Sequence, residues 1–214
     1  MKVDIIYNED CLQGMKRLPD NSIDLVLTDP PYGVRQEKWD NKEHFISNIS
    51  VWLDECLRVS STVIWFCAGI MIPYILRGRE DIFHRLLIWN KPIGTQYAGA
   101  MHSNIWYSME PILVFGSPPK TNKNKRYGYS VLNTRTIAFK EYGHPTTKPL
   151  SLIRELIYFY SNKGDIVLDP FLGSGTTAVA CKQLNRYYIG FEISKEYCEI
   201  AKKRLTNIQL ELIK

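Results

Sequence analysis

Apolar residues follow two rhythms along this chain. Short runs appear at Asp4-Ile5-Ile6-Tyr7, Ile23-Asp24-Leu25-Val26-Leu27, Thr62 to Cys67, Arg85 to Trp89, Pro111 to Phe115, Ile166-Val167-Leu168 and Tyr187 to Phe191. Runs of that length, bounded by turn residues, predict strands buried on both faces. Elsewhere apolar positions fall at helical spacing. Phe45, Ile49, Trp52, Leu53 and Leu57 share one side of a helix over about 43–58. Leu150, Ile153, Leu156, Ile157 and Tyr160 share another, with Pro149 suited to its first position. Thr176 to Leu184 predicts a helix after a glycine-rich turn. Ser194 predicts the cap of a last helix, with Glu196 in its first turn and Lys202, Lys203 and Arg204 in its last. Strands alternating with helices predict a doubly wound, mostly parallel, Rossmann-like α/β sheet.

Two stretches break the rhythm. Ile93 to Tyr107 is rich in Gly, Ser, Asn and aromatics, and Pro118 to Tyr129 holds Lys120, Lys123, Lys125 and Arg126. The sequence therefore reads as one domain over 1–214, with about 93–143 as an insertion.

Composition narrows the classes. The 214 residues are 45% hydrophobic and 23% charged, which excludes wholesale disorder. Lys and Arg exceed Asp and Glu by 27 to 22, a net +5 that permits a polyanionic partner. The longest apolar run, Val63 to Leu76, is too short to span a bilayer, and Pro73 interrupts it. Met1-Lys2-Val3-Asp4 has no signal-like apolar stretch. The cysteines, Cys11, Cys56, Cys67, Cys181 and Cys198, are scattered and odd in number. That spacing argues against a disulfide framework or a zinc site and fits the cytoplasm; we expect no metal and no membrane association.

Two turns carry the candidate chemistry. Asp169-Pro170-Phe171-Leu172-Gly173-Ser174-Gly175 runs from a strand into a helix, and the next strand ends in Glu192. Glycines permit close backbone approach, and an acid at that distance can accept from ribose hydroxyls, so a nucleotide-type cofactor site is predicted. Gly173-x-Gly175-x-x-Ala178 also satisfies a dinucleotide pattern, so spacing does not choose the cofactor. Asp10 follows another short strand and can cap a helix, contact a cofactor base, or do both.

The second turn, Thr28-Asp29-Pro30-Pro31-Tyr32-Gly33, leaves a buried strand, and two prolines cannot continue a ladder. They fix the Asp29 side chain and the Pro30 carbonyl, two acceptors that can grip the two hydrogens of a planar exocyclic amine. Tyr32 can stack on the ring that carries the amine. Holding both hydrogens draws the nitrogen toward a tetrahedral shape and frees a lone pair otherwise delocalised into the ring.

The Asp-Pro-Pro-Tyr turn and Phe171-x-Gly173-x-Gly175 together resemble the two signatures of S-adenosylmethionine-dependent amino-methyltransferases of DNA. Further matches follow the order of the permuted, β-type group: Asn8-Glu9-Asp10, Trp39-Asp40, Ile88-Trp89-Asn90-Lys91-Pro92, Glu110 to Phe115, His144-Pro145-Thr146-Thr147-Lys148-Pro149, Arg186 to Glu192, Tyr197 and Arg204. The resemblance spans nearly the whole chain. It implies a class I methyltransferase fold, S-adenosylmethionine as cofactor and double-stranded DNA as partner. It implies that Asp29, Pro30, Pro31 and Tyr32 grip and stack a flipped base. Phe171, Gly173, Gly175, Thr176 and Thr177 would line the methionine end, Glu192 the ribose and Asp10 the adenine edge, with Asp169 also among the cofactor-binding residues. Lys148, with Asp29, would face the cofactor side.

The same resemblance places target recognition in the insertion, where Lys120, Lys123, Lys125 and Arg126 are candidate phosphate contacts; on charge alone they read equally as a solvated loop. Asp in the first position of the turn leans toward adenine N6; N4 of cytosine is the alternative. No cysteine follows a proline, which excludes 5-methylcytosine chemistry. RNA methylation and an inactive DNA-binding module are the remaining alternatives. A small module covers little DNA, and a homodimer would extend its footprint.

Overall fold

The computed structural model describes residues 1–32, 42–91, 109–117, 130–134 and 147–212. Trp39-Asp40, most of the 93–143 segment with Lys120, Lys123, Lys125 and Arg126, and His144 to Thr146 lie outside the described residues.

The elements run β1 (Ile5–Tyr7), α1 (Cys11–Met15), β2 (Leu25–Thr28), α2 (Lys42–Val59), β3 (Thr62–Phe66), a 3-10 turn (Gly69–Met71), α3 (Ile72–Leu76), β4 (Phe83–Asn90), β5 (Met109–Gly116), β6 (Val131–Asn133), α4 (Leu150–Tyr160), β7 (Ile166–Asp169), α5 (Thr176–Leu184), β8 (Tyr187–Phe191) and α6 (Lys195–Leu212). The strands form one sheet in the order β1-β8-β7-β2-β3-β5-β4-β6. β5 runs antiparallel to both neighbours, β3 and β4, and the other described pairings are parallel.

Both faces of the sheet are covered, which is why the strands read as unbroken apolar runs. Val63 and Trp65 of β3 pack with α1, α2 and α3, whereas Ile64 and Phe66 pack with α4, α5 and α6. The period-2 alternation of a strand thus feeds two separate cores from one run.

Three local expectations change. Pro149, with ψ 133, sits before α4 rather than in it, because the helix opens at Leu150. Lys202, Lys203 and Arg204 lie inside α6, which continues to Leu212, so they do not complement its last turn. β6, a three-residue edge strand beside β4, carries too short an apolar signal to be read from the sequence.

The topology creates a crevice. β7 leads outward through α5 to β8, and β2 leads the other way through α2 to β3. β2 pairs with β7 at Leu25–Val167 and Val26–Leu168, while Leu27 and Thr28 pair with β3. The carboxyl ends of β2 and β7 therefore flank a topological switch point, where open α/β sheets take their ligands.

Candidate active site

A cavity of about 460 Å³ occupies that crevice, a size suited to a small organic ligand. Six acids line it (Glu9, Asp10, Asp29, Glu110, Asp169 and Glu192) against one described cation, Lys148. Such a lining favours a ligand that carries positive charge.

At one end the acids are held by main-chain and hydroxyl donors. Asp169, the last residue of β7, accepts from the Phe171 backbone N–H at 3.1 Å and the Thr177 hydroxyl at 2.6 Å. Burial is the largest influence on it and pushes its carboxyl up to about 7. Glu192, just past β8, accepts from the N–H groups of Gly173 at 2.9 Å and Ser194 at 2.7 Å. Burial raises it as well, against these donors. Asp10 caps α1 by accepting from Gln13 N–H at 3.1 Å and also lines the cavity. The wall between them is apolar, with Trp52 edge-on to Phe171 at 5.1 Å.

The glycine-rich turn is fixed from outside the cavity. Gly175 has φ +84, and a Cβ there would lie 2.6 Å from the Ala201 Cβ on α6. Its expected place on the methionine wall changes accordingly: Gly173, Thr176 and Thr177 line the cavity, and Gly175 turns the chain against α6. Arg204 reaches back from α6 to the Ser174 carbonyl at 2.7 Å, the Ser174 hydroxyl at 3.0 Å and the Thr176 hydroxyl at 3.1 Å. Asn8 donates to the carbonyls of Glu192 and Ile193 at 2.9 and 3.0 Å and so ties β1 to the end of β8.

The other end is built from charged side chains. The Tyr32 hydroxyl lies between Asp29 Oδ1 and Glu110 Oε1, the latter at 2.7 Å. Lys148 Nζ is 2.5 Å from Asp29 Oδ2 and 3.2 Å from Glu110 Oε1. Lys91 Nζ donates to Glu110 Oε2 at 2.7 Å and lies 4.6 Å from the centre of the Trp89 ring. Burial lifts Asp29 above the usual carboxylate range; Lys148 opposes that rise and the Glu110 charge adds to it. Burial also pushes Glu110 up, but Lys148 and Lys91 outweigh it and hold that carboxyl below its usual range. Burial and the two neighbouring carboxylates push the Tyr32 hydroxyl well above its ordinary value.

The structure brings the expected residues Asp10, Asp29, Pro30, Pro31, Tyr32, Lys148, Asp169, Phe171, Gly173, Thr176, Thr177 and Glu192 to one cavity. Lys148, expected on the cofactor side, lines the cavity and pairs with Asp29. Sequence reasoning missed Glu110, Lys91, Trp52, Ser174 and Asn8 as parts of the site. Asn8, Lys91 and Glu110 stood in stretches that match the family pattern, and Glu110 is also an acid opening an apolar strand, but neither signal gave them a role in the site.

The residues fit an adenosine-bearing cation: apolar walls, acids for hydroxyl and ammonium groups, and the Asp29 turn, 140 residues from Asp169 in sequence, on the same cavity. Residues 23–203 match the profile of the N6/N4 DNA methylases, and the chain belongs to that DNA methylase family. The type II methyltransferase M.HinfI of Haemophilus influenzae is 32% identical over 246 aligned positions, covering 95% of this chain and 68% of that protein. The type II methyltransferase M.HpaI of Haemophilus parainfluenzae is 33% identical over 228 positions, covering 92% and 72%. Among solved structures, the M1.HpyAVI complex with SAM superposes with a TM-score of 0.71 at 28% identity, over 94% of this chain and 98% of that one.

Proposed function

We propose that this chain methylates the exocyclic N6 of adenine in duplex DNA, with S-adenosylmethionine as methyl donor. The observation that carries the reading is the Asp29 turn at the end of β2, opening on the same cavity as Asp169 and Glu192. One carboxylate there can hold an amine while the others hold a cationic cofactor. Asp169 would take the ammonium, Glu192 the ribose hydroxyls and Asp10 the adenine edge, with Phe171, Gly173, Thr176 and Thr177 around the methionine end. When bound, S-adenosylmethionine supplies a methyl on sulfonium, whose C–S electron pair stays with sulfur as the amine nitrogen takes the methyl.

The chain's own residues do the rest. Asp29 and the Pro30 carbonyl accept the two amine hydrogens, and the Tyr32 ring stacks on the extruded base. The substituted nitrogen then carries one proton too many. Asp29, whose burial strengthens its hold on a proton, takes it at a carboxylate oxygen. Extrusion of the base costs a few kcal/mol. Lys120, Lys123, Lys125 and Arg126 would offset part of that along the phosphates, with about 93–143 as the target-recognition segment, and would make binding salt-dependent.

N4 of cytosine is the second reading, because Asp29 can grip either amine; Asp rather than Ser at that position favours adenine. Incubation with S-adenosylmethionine and mixed-sequence duplex DNA, digestion to nucleosides and mass spectrometry separate them. N6-methyladenine supports the first reading, N4-methylcytosine replaces it with the second, and no methylated base in DNA overturns both. The DNA substrate and five buried free cysteines also support a cytoplasmic location.

A further inference from the structure

Resting on that reading, we infer that Glu110, held by Lys91, is a positioning residue that keeps Asp29 available to the amine. Asp29 already has two donors: the Tyr32 hydroxyl on Oδ1 and the Lys148 ammonium on Oδ2. Both also reach a single atom of a second carboxylate, Glu110 Oε1, at 2.7 and 3.2 Å. The hydroxyl has one hydrogen for two acceptors. When that hydrogen serves Glu110, Asp29 Oδ1 is open to the target amine. When it serves Asp29, the amine meets an occupied oxygen. Glu110 is thus the competing acceptor that draws the tyrosine and the lysine off the reactive carboxylate.

Lys91 fixes the competitor in place. It holds Glu110 Oε2 at 2.7 Å, so Oε1 faces Tyr32 and Lys148. The side chains of Lys91, Glu110 and Lys148 are 5, 9 and 9% exposed, whereas Asp29 is 24% exposed. The anchor is therefore sealed, and the carboxylate that must meet an incoming base is the open one. Among the described residues two carboxylates face two ammonium groups, so Glu110→Gln removes one negative charge from that balance. Lys148 and Tyr32 then close on Asp29, weaken it as an acceptor and crowd the amine. A bland alternative is that the Lys91–Glu110 pair only joins the ends of β4 and β5.

The two are separated by measuring single-turnover methyl transfer at saturating cofactor, cofactor affinity by calorimetry and the melting temperature. The purified full chain is compared with Glu110→Gln and with the charge-balanced double variant Lys91→Met/Glu110→Gln. Positioning predicts a rate about 100-fold lower in Glu110→Gln, the scale of a misplaced reacting group, with cofactor affinity within about twofold. It also predicts that the double variant, with charge balance and melting temperature restored, stays slow. An unimpaired rate in Glu110→Gln overturns the inference. So does a double variant that recovers stability and rate together. No transfer by the unsubstituted protein removes this inference and the proposed function together, whereas transfer by it alongside an unimpaired Glu110→Gln removes this inference alone.

Discussion

The two ends of the cavity hold their acids by different means. Around Asp169, Glu192 and Asp10 the described donors are four backbone N–H groups and one threonine hydroxyl. Around Asp29 and Glu110 they are a phenol and two ammonium groups. Main-chain donors move only with the fold, so the first end is a rigid receptor. Side-chain donors can be redistributed among acceptors without moving a strand, so the second end can change partners while the fold stays put.

The largest test of that contrast is Asp29→Ala. It removes the proposed amine acceptor and leaves the main-chain-held end untouched, so methyl transfer should fall by roughly 1,000-fold or more. Calorimetry should find cofactor affinity retained; a matching loss of affinity would erase the distinction between the ends. Glu192→Ala should do the reverse. It strands the N–H groups of Gly173 and Ser194 and deletes the proposed ribose acceptor, at a cost of about 1–3 kcal/mol, or roughly 10- to 100-fold in cofactor affinity. Transfer at saturating cofactor should change little, and unchanged affinity would count against the ribose contact.

The smallest effect concerns protons. Asp169 rises from an ordinary value of about 3.9 to about 7 in the fold. Between those values the folded chain binds more protons than the unfolded one, so this group's contribution to stability falls as pH rises from about 4 toward 7 and levels off above. A cationic cofactor favours the carboxylate and lowers that value again. Binding near pH 7 should therefore release a fraction of a proton, read by calorimetry in buffers of different ionisation enthalpy. Asp169→Asn should abolish the release; a release that persists would assign it to another group.

The same contrast explains what the sequence made legible. Each acid at the rigid end has at least one donor two to eight residues away: Asp10 has Gln13, Asp169 has Phe171 and Thr177, and Glu192 has Ser194, with Gly173 as a donor from farther off. Local spacing is therefore a sufficient clue, and the strand-turn-helix pattern around Gly173 was readable. The alternation of buried runs and amphipathic helices likewise gave the doubly wound sheet. Asp29 was readable because two prolines mark its turn. Its partners were not: Glu110 and Lys148 come from sites 81 and 119 residues away, and their meeting depends on β5 entering the sheet between β3 and β4. The pairing of Lys148 with Asp29 therefore has no local signature in the sequence. Gly175 was read as a ligand-facing glycine, although what constrains it is Ala201 on a helix yet to come.

The Lys91–Glu110 bridge has one more consequence. On either side of residues 92–108, Asn90 pairs with Met109 across β4 and β5 and Lys91 pairs with Glu110. Ladder and ion pair thus hold together the two chain positions that flank this stretch of sequence. Where both flanks are already held, a change of chain length between them costs little in closure entropy, about 0.6 kcal/mol per doubling. The sequence between these two positions can therefore be lengthened or exchanged while Asp29 keeps its described neighbours.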